Sequence, residues 1–226
     1  MISKILKINL IKTLYYNIKI KGILSLFNPQ IIIGYKCKIN ISNKKYLFLK
    51  DNARIFIGVF DSENRHTHNT KTYFNINGKI ILKGHINISK GSDIFVHTGA
   101  VLEMEDLYLG PDCSIICNKH ICFKEKCIVS WNCLFLDGDT HPIYNDDGFI
   151  INKNKEIIIG KNSWIGCNTN VLKGVVCADN IIISSSSVVT KSLSEQNYIY
   201  VSNQKKKYFK EFKIDEKDLF KEKEIT

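Results

Sequence analysis

The chain has 226 residues, of which 44% are hydrophobic and 24% charged, so a packed core is feasible and wholesale disorder is excluded. The length fits one large domain with terminal appendages. The formal net charge of +10 comes from the first 50 residues, which hold ten lysines and no acidic residue, while residues 51–226 balance 22 basic against 22 acidic side chains. Since the main body is neutral, we expect no nucleic-acid partner.

Residues 1–30 form a predicted basic helical segment. Lysines alternate there with Ile, Leu and Tyr at helical spacing, namely Lys4, Lys7, Lys12, Lys19 and Lys21. Two alternatives stay open: the helix lies on an anionic membrane surface, or it caps the main domain and keeps its lysines in water. Charges interrupt every apolar stretch, so we expect neither a membrane span nor a signal peptide. The expected location is cytoplasmic, with peripheral membrane contact through this segment as an option.

The chain contains eight cysteines but no CxxC pair. A chain of this length does not need disulfide bonds for stability, so we expect buried free thiols in a reducing compartment and no metal site.

The most informative feature is an internal repeat of six residues. β-Branched or compact residues recur at Ile159, Ile165, Val171, Cys177, Ile183 and Val189, and a second series runs two positions earlier at Ile157, Ser163, Thr169, Val175, Ile181 and Ser187. The grid appears upstream at Leu109, Ile115, Ile121, Cys127 and Cys133, and more loosely before that. A helix cannot keep such positions on one face, whereas short strands separated by regular corners can.

The repeat therefore predicts an all-β domain, a parallel β-helix over residues 31–203 whose inward positions include three of the cysteines. The N-terminal helix would cover one open end of the coil. Residues 204–226 are highly charged with interspersed aromatic residues and predict a short helix with one apolar face.

The two blocks of the repeat are out of register, because Cys133 and Ile159 are 26 positions apart. The break predicts a projecting loop over residues 137–156, and a loop on a rigid scaffold is a favoured place for chemistry. A looser segment, residues 58–75, carries His66 and His68; we interpret their HxH spacing as part of a polar loop rather than a metal site.

Five motifs resemble those of a known family. They are DTHPI at residues 139–143, WIG at 164–166, LKGV at 172–175, SVVTK at 187–191 and the hexapeptide grid itself. In this order and spacing they are similar to the left-handed β-helix acyltransferases, and above all to the galactoside and maltose O-acetyltransferase branch with its relatives that decorate bacterial surface glycans. The resemblance covers about residues 30–203.

The resemblance implies a left-handed coil, a homotrimer and acetyl-CoA bound in the groove between neighbouring coils. It also implies that His141 is the general base and that the backbone N–H of Cys167 stabilises the oxyanion, without a covalent acyl-enzyme. Asp139 or Asp137 would accept a hydrogen bond from the imidazole or from the acceptor sugar. The implied cofactor contacts are Trp164, Gly166, Ser185, Thr190 and Lys191, with Lys191 near a phosphate. Trp131 either fills a trimer seam or stacks on a sugar.

The chain departs from the family at residues 184–187, where four serines replace a GAGS segment, and at residues 202–206, where SNQKK lacks the usual Gly and Pro. The predicted activity is acetyl-CoA-dependent O-acetylation of a sugar hydroxyl in a surface glycan or its precursor. The alternatives are N-acetylation of a nucleotide-linked amino sugar and an inactive β-helix that serves as a scaffold subunit.

Overall fold

The computed structural model describes residues 7–50, 52–60 and 70–213. Helix α1 spans Leu10–Lys21, and short 3₁₀ helices span Ile23–Leu26 and Lys44–Tyr46. In chain order the strands are β1 (Ile31–Ile33), β2 (Cys37–Ile41), β3 (Leu47–Leu49), β4 (Arg54–Ile57), β5 (Thr72–Ile76), β6 (Lys79–Leu82), β7 (His85–Ile88), β8 (Asp93–Val96), β9 (Val101–Met104), β10 (Leu107–Leu109), β11 (Ser114–Cys117), β12 (His120–Phe123), β13 (Cys127–Val129), β14 (Leu134–Leu136), β15 (Ile157–Ile159), β16 (Trp164–Ile165), β17 (Asn170–Leu172), β18 (Ile181–Ile183), β19 (Val188–Val189), β20 (Tyr198–Val201) and β21 (Gln204–Tyr208).

These strands form three sheets, and successive strands pass from one sheet to the next. Sheet 1 contains β1, β4, β7, β10, β13, β16, β18, β20 and β21; sheet 2 contains β2, β5, β8, β11, β14, β17 and β19; sheet 3 contains β3, β6, β9, β12 and β15. Among the described residues, these strands pair with one another in parallel, except for the last pair, β20 and β21. The chain is therefore a parallel β-helix with three faces, and we name its edges the 1–2, 2–3 and 3–1 corners after the sheets that they join.

The predicted inward positions form the core. All twelve residues of the two series from Ile157 to Val189 are buried, and so are the five upstream positions from Leu109 to Cys133. Each inward side chain stacks on its counterpart in the neighbouring coil; Ile165 on β16, for example, pairs with Ile183 on β18. The interior is mainly apolar, and it also holds small hydroxyl side chains such as Ser163, Thr169 and Ser187. Close packing between the coils accounts for the requirement for compact residues at every sixth position.

The upstream grid is looser because the coils there are longer. Ile165 and Ile183 are 18 positions apart, which equals three hexads, whereas the paired residues Ile94 and Ile115 are 21 apart. The extra residues lie in corners, so the inward stacking is kept while the sequence period is lost.

The corners depend on residues that tolerate left-handed backbone. Asn132 and Asn168 at the 1–2 corner both have φ of 56°, and Asn132 Nδ2 donates to Asn168 Oδ1 at 2.8 Å. At the 3–1 corner Asn162 Nδ2 donates in the same way to Asn180 Oδ1 at 2.8 Å. Asparagine suits these corners for two reasons. It adopts a left-handed backbone conformation readily, and its side-chain amide forms hydrogen bonds between equivalent corners of neighbouring coils.

Helix α1 caps the first coil, as predicted, and its most buried side chains there are polar. Asn17 Oδ1 accepts from the backbone N–H groups of Gln30 and Ile31 at 2.9 and 3.1 Å, and Asn17 Nδ2 donates to the carbonyl oxygen of Ile31 at 2.7 Å. Thr13 Oγ1 accepts from the N–H of Ile33 at 3.0 Å. These bonds satisfy the otherwise open edge of β1.

The predicted helix after residue 204 is wrong for the described part of that segment. Gln204–Tyr208 forms β21, which returns antiparallel to β20 and covers the last edge of sheet 1. An exposed edge strand offers unpaired backbone groups, and a hairpin satisfies them whatever the local charge. Residues 214–226, the rest of the predicted helix, lie outside the described residues.

The cysteines are free thiols. Cys127, Cys133 and Cys177 occupy the predicted inward positions, and burial raises the pKa of Cys177 to about 12. Burial also raises the pKa of Cys37, to about 11. His66 and His68 lie outside the described residues.

Candidate active site

The projecting loop leaves the coil where the break in the repeat predicts it. Residues 137–156 connect β14 to β15 at the 2–3 corner. Its outer part folds back on itself, since the N–H of Ile151 donates to the carbonyl oxygen of Ile143 at 2.9 Å and Tyr144 pairs with Ile150. The loop is therefore an ordered hairpin.

His141 lies at the base of this hairpin with its backbone held at two points. Its N–H donates to the carbonyl oxygen of Asp139 at 2.7 Å, and its carbonyl oxygen accepts from Asn152 Nδ2 at 2.7 Å. The side chain is exposed, and within the described residues its ring makes no hydrogen bond or ion pair. The backbone is thus fixed while both ring nitrogens stay open to a substrate.

Asp139 does not contact the imidazole, contrary to one of its two predicted roles. Its Oδ2 accepts from Lys173 Nζ and from Asn152 Nδ2, the latter at 2.9 Å. Lys173 Nζ also donates to the carbonyl oxygen of Asn152 at 3.2 Å. These bonds, first that from Lys173 and then that from Asn152, hold the pKa of Asp139 below its ordinary value. Together the three side chains fasten the loop to the corner that follows β17.

Sequence reasoning missed Lys173 and Asn152 as contributors to the site. Lys173 lies within the LKGV motif, so a signal for it existed. Asn152 lies in the variable part of the loop, and nothing in the pattern singles it out.

Asp137 is a structural residue, which corrects its predicted role in substrate binding. Its side chain is fully buried. Oδ1 accepts from the N–H of Asn118 at 2.6 Å, and Oδ2 accepts from the N–H groups of Lys119 and His120 at 2.8 and 2.7 Å. A carboxylate that caps three consecutive backbone amides in the corner below is not available to an acceptor sugar.

A second group of predicted residues stacks at the 1–2 corner in consecutive coils. The N–H of Asn168 donates to the carbonyl oxygen of Trp131 at 3.0 Å, and the N–H of Ser186 donates to that of Cys167 at 2.8 Å. Gly166 is needed for this stacking, because a Cβ there would lie 2.5 Å from the backbone nitrogen of Ser185. Trp131 is half-buried in the same column.

The backbone N–H of Cys167 has no acceptor among the described residues, although its neighbours on both sides donate to carbonyl oxygens. The Sγ atom of Cys167 takes only a long contact from Asn168 Nδ2, at 3.8 Å. A half-buried N–H without a partner is what an oxyanion site requires.

Thr190 and Lys191 lie at the 2–3 corner after β19, the same edge as the loop. Asn203 Oδ1 accepts from both backbone N–H groups at 2.8 and 3.0 Å, and Asn203 Nδ2 donates to Thr190 Oγ1 at 2.9 Å. The backbone N–H and the hydroxyl of Thr190, which were predicted to contact the cofactor, are therefore bonded to Asn203 instead. The side chain of Lys191 is exposed.

Trp164 lies on the outer surface of sheet 1 rather than at a corner. Its Nε1 donates to Ser130 Oγ at 3.2 Å, and its ring stacks on Phe212 with centroids 5.8 Å apart and planes inclined by 16°. The C-terminal segment of the chain thus packs on the residue that was predicted to flank the cofactor.

The predicted site residues therefore divide between two edges of one chain. Trp131, Gly166, Cys167 and Ser185 lie at the 1–2 corner, and the other edge holds His141, Asp139, Thr190 and Lys191. The repeat contained this information, since residues one hexad apart, such as Ser185 and Lys191, fall on successive corners. One copy alone does not bring the imidazole and the Cys167 N–H together along its own coil.

Within residues 7–50, 52–60 and 70–213, no three His, Cys, Asp or Glu side chains converge as a metal site would require.

Comparison with known proteins places this geometry in context. No protein-family model matches the chain. It is 30% identical over 161 residues to an uncharacterised 24.8 kDa protein in the cps region of Klebsiella pneumoniae, a match that covers 71% of each protein. It is also 30% identical over 123 residues to the bifunctional protein GlmU of Clostridium botulinum, but this match covers 54% of the chain and only 25% of GlmU.

Among solved structures, the polySia specific acetyltransferase NeuO is similar with a TM-score of 0.50 and 19% sequence identity, covering 79% of this chain and 70% of NeuO. The likeness confirms the predicted fold, a left-handed parallel β-helix.

Proposed function

The chain belongs to the left-handed β-helix acyltransferases, and on that premise we propose that it transfers an acetyl group from acetyl-CoA to a sugar hydroxyl of a bacterial surface glycan or its precursor. The observation that carries the proposal is the exposed imidazole of His141 on an ordered loop at the break in the repeat. The curated relative in a cps region agrees with a glycan substrate.

His141 acts as the general base in this proposal. A sugar hydroxyl is a weak nucleophile at neutral pH, so a neutral imidazole removes its proton while the oxygen attacks the thioester carbonyl. The C–S bond then breaks, the sugar keeps the acetyl group as an ester, and the proton passes from the imidazolium to the departing sulfur. No acyl-enzyme is formed.

The N–H of Cys167 stabilises the negative charge on the thioester oxygen during the attack. Since this donor and His141 lie at different corners, we propose that the site forms between copies, with the 2–3 corner of one against the 1–2 corner of the next. A heterologous contact whose rotation closes generates a ring, and the ring in this proposal is a homotrimer.

Acetyl-CoA would lie along this intersubunit groove. The exposed Lys191 suits a phosphate group, and Gly166 and Ser185 form the opposite wall. Asp139 keeps an oxygen that accepts no bond within the described residues, so it stays a candidate acceptor for a sugar hydroxyl in addition to anchoring the loop.

Thiol release from acetyl-CoA in the presence of glycan acceptors tests the proposal. His141→Ala is expected to lower the turnover by about 10²- to 10⁴-fold. His97→Ala is the matched control, because His97 is an exposed histidine at the same edge two coils earlier, and it should leave the rate unchanged. Cys167→Ala should also keep activity, since only the backbone N–H is used.

The inactive-scaffold alternative rests on two observations: the serines at residues 184–187, and the hydrogen bonds between Asn203 and Thr190. If the wild-type protein binds no acetyl-CoA at millimolar concentration, the scaffold alternative is correct. Mild base treatment of the product separates the two enzymatic alternatives, because it hydrolyses an O-ester and leaves an amide intact.

A further inference from the structure

The outer face of α1 is apolar although it faces away from the coil. We define it by five side chains that are between 42% and 82% exposed: Leu10, Ile11, Leu14, Tyr15 and Ile18. At 100° per residue these positions span about 140° of the helix surface, a continuous stripe. Exposed apolar residues continue beyond the helix at Ile23, Leu24 and Phe27, the last 90% exposed.

Apolar residues of α1 lie on both of its faces: Tyr16 and Ile20 are partly buried against the core, whereas the stripe faces away from it. The buried residues of α1 are Thr13 and Asn17, because the edge of β1 offers N–H and C=O groups that only polar side chains satisfy. Capping the coil therefore does not explain the apolar stripe. A contiguous apolar patch of this kind on a protein surface marks an interaction site.

The charged side chains of α1 and of the residue Lys7 before it are all lysines. Lys7 and Lys21 are exposed at the two ends of the stripe, and Lys19 lies at its border, with Nζ 5.7 Å from the centroid of the Tyr15 ring. No acidic residue occurs in residues 1–50 to neutralise them. The described part of the chain has no helix that is long and apolar enough to cross a bilayer.

We propose that the outer face of α1 binds the interfacial layer of an anionic lipid bilayer and docks the enzyme on a membrane surface. Apolar side chains flanked by lysines suit the boundary between acyl chains and anionic headgroups. A second copy of the chain fits less well, since two such faces would bring lysines together without a carboxylate between them. Membrane docking does not depend on the proposed acetyl transfer.

Co-sedimentation of the full chain with vesicles measures this binding. The wild-type protein should partition onto phosphatidylcholine vesicles that contain 30% phosphatidylglycerol and stay in the supernatant with pure phosphatidylcholine. The double variant Ile11→Gln/Leu14→Gln should lower the partition coefficient at least 10-fold, since two deeply inserted side chains are lost. Lys19→Gln/Lys21→Gln should lower it about 10-fold or more at low salt, because each lysine near an anionic surface contributes severalfold.

Val201→Gln is the matched control, because Val201 is 43% exposed at the other end of the coil and should not affect binding. Circular dichroism and thermal unfolding establish that each variant is folded. The proposal is overturned if the wild-type protein does not bind anionic vesicles, or if the helix variants bind them as strongly as the wild type does. It is also overturned if Ile11→Gln/Leu14→Gln lowers the oligomer mass in light scattering without changing the partition, since the face would then contact a second copy.

Discussion

Replacing Asp137 with alanine tests whether the base of the loop depends on a buried carboxylate. The substitution removes the acceptor of three backbone N–H groups, those of Asn118, Lys119 and His120, at distances between 2.6 and 2.8 Å. The carboxylate is fully buried, so water does not replace it at low cost.

Each hydrogen bond to a charged group contributes about 1.5–3 kcal/mol, and bonds that share one carboxylate do not add fully. Removal of Asp137 also relieves the cost of burying its charge, which offsets part of the loss. We therefore expect Asp137→Ala to lower the free energy of unfolding by about 3–4 kcal/mol. Asp139→Ala is the control, because its carboxylate is exposed and its loss should cost less than about 1 kcal/mol.

Urea unfolding at equal protein concentrations compares the variants, since unfolding of the proposed trimer would depend on concentration. Native-state hydrogen exchange gives a local readout: the amides of Lys119 and His120 should exchange about 100-fold faster or more in Asp137→Ala. If these two amides stay as protected as in the wild type, the carboxylate does not hold this corner and the argument is wrong.

Four further outcomes are expected. Gly166→Ala should destabilise the protein by about 1–3 kcal/mol in urea unfolding, because its Cβ would press on the backbone nitrogen of Ser185. Ser186→Gly should stabilise it by about 0.5 kcal/mol in the same assay, since glycine relieves the φ of 58° but gains freedom in the unfolded chain; no gain would mean that the corner is unstrained. Lys173→Met should free the loop and lower kcat/KM about 10- to 100-fold with little change in stability. Because the folded-state pKa of Asp139 is lowered, its small stabilising contribution should be present above about pH 4 and disappear as the pH falls through that lowered value. Lys173→Met should weaken this acid-side dependence, and the part that comes from the Asn152 bond should remain.

Two parts of the site were accessible from the sequence for different reasons. The break between Cys133 and Ile159 located the loop, because an insertion in a strict repeat must leave the coil. The DTHPI motif then singled out His141, which the structure leaves exposed with an unpaired ring. The role of Asp137 was not accessible, since an acidic residue in a loop has the same sequence signal whether it faces solvent or caps buried amides.

The sequence by itself determined the architecture of this protein: a hexad of compact residues permits only stacked short strands, so the inward positions and the loop follow from spacing alone. The tertiary structure decided which corner each motif occupies, why Asn203 takes the contacts of Thr190, and why β21 is a strand. It also decided that α1 places Thr13 and Asn17 against the open edge of β1. These features depend on which backbone groups are left unpaired at the ends and edges of the coil, and periodicity carries no information about those groups.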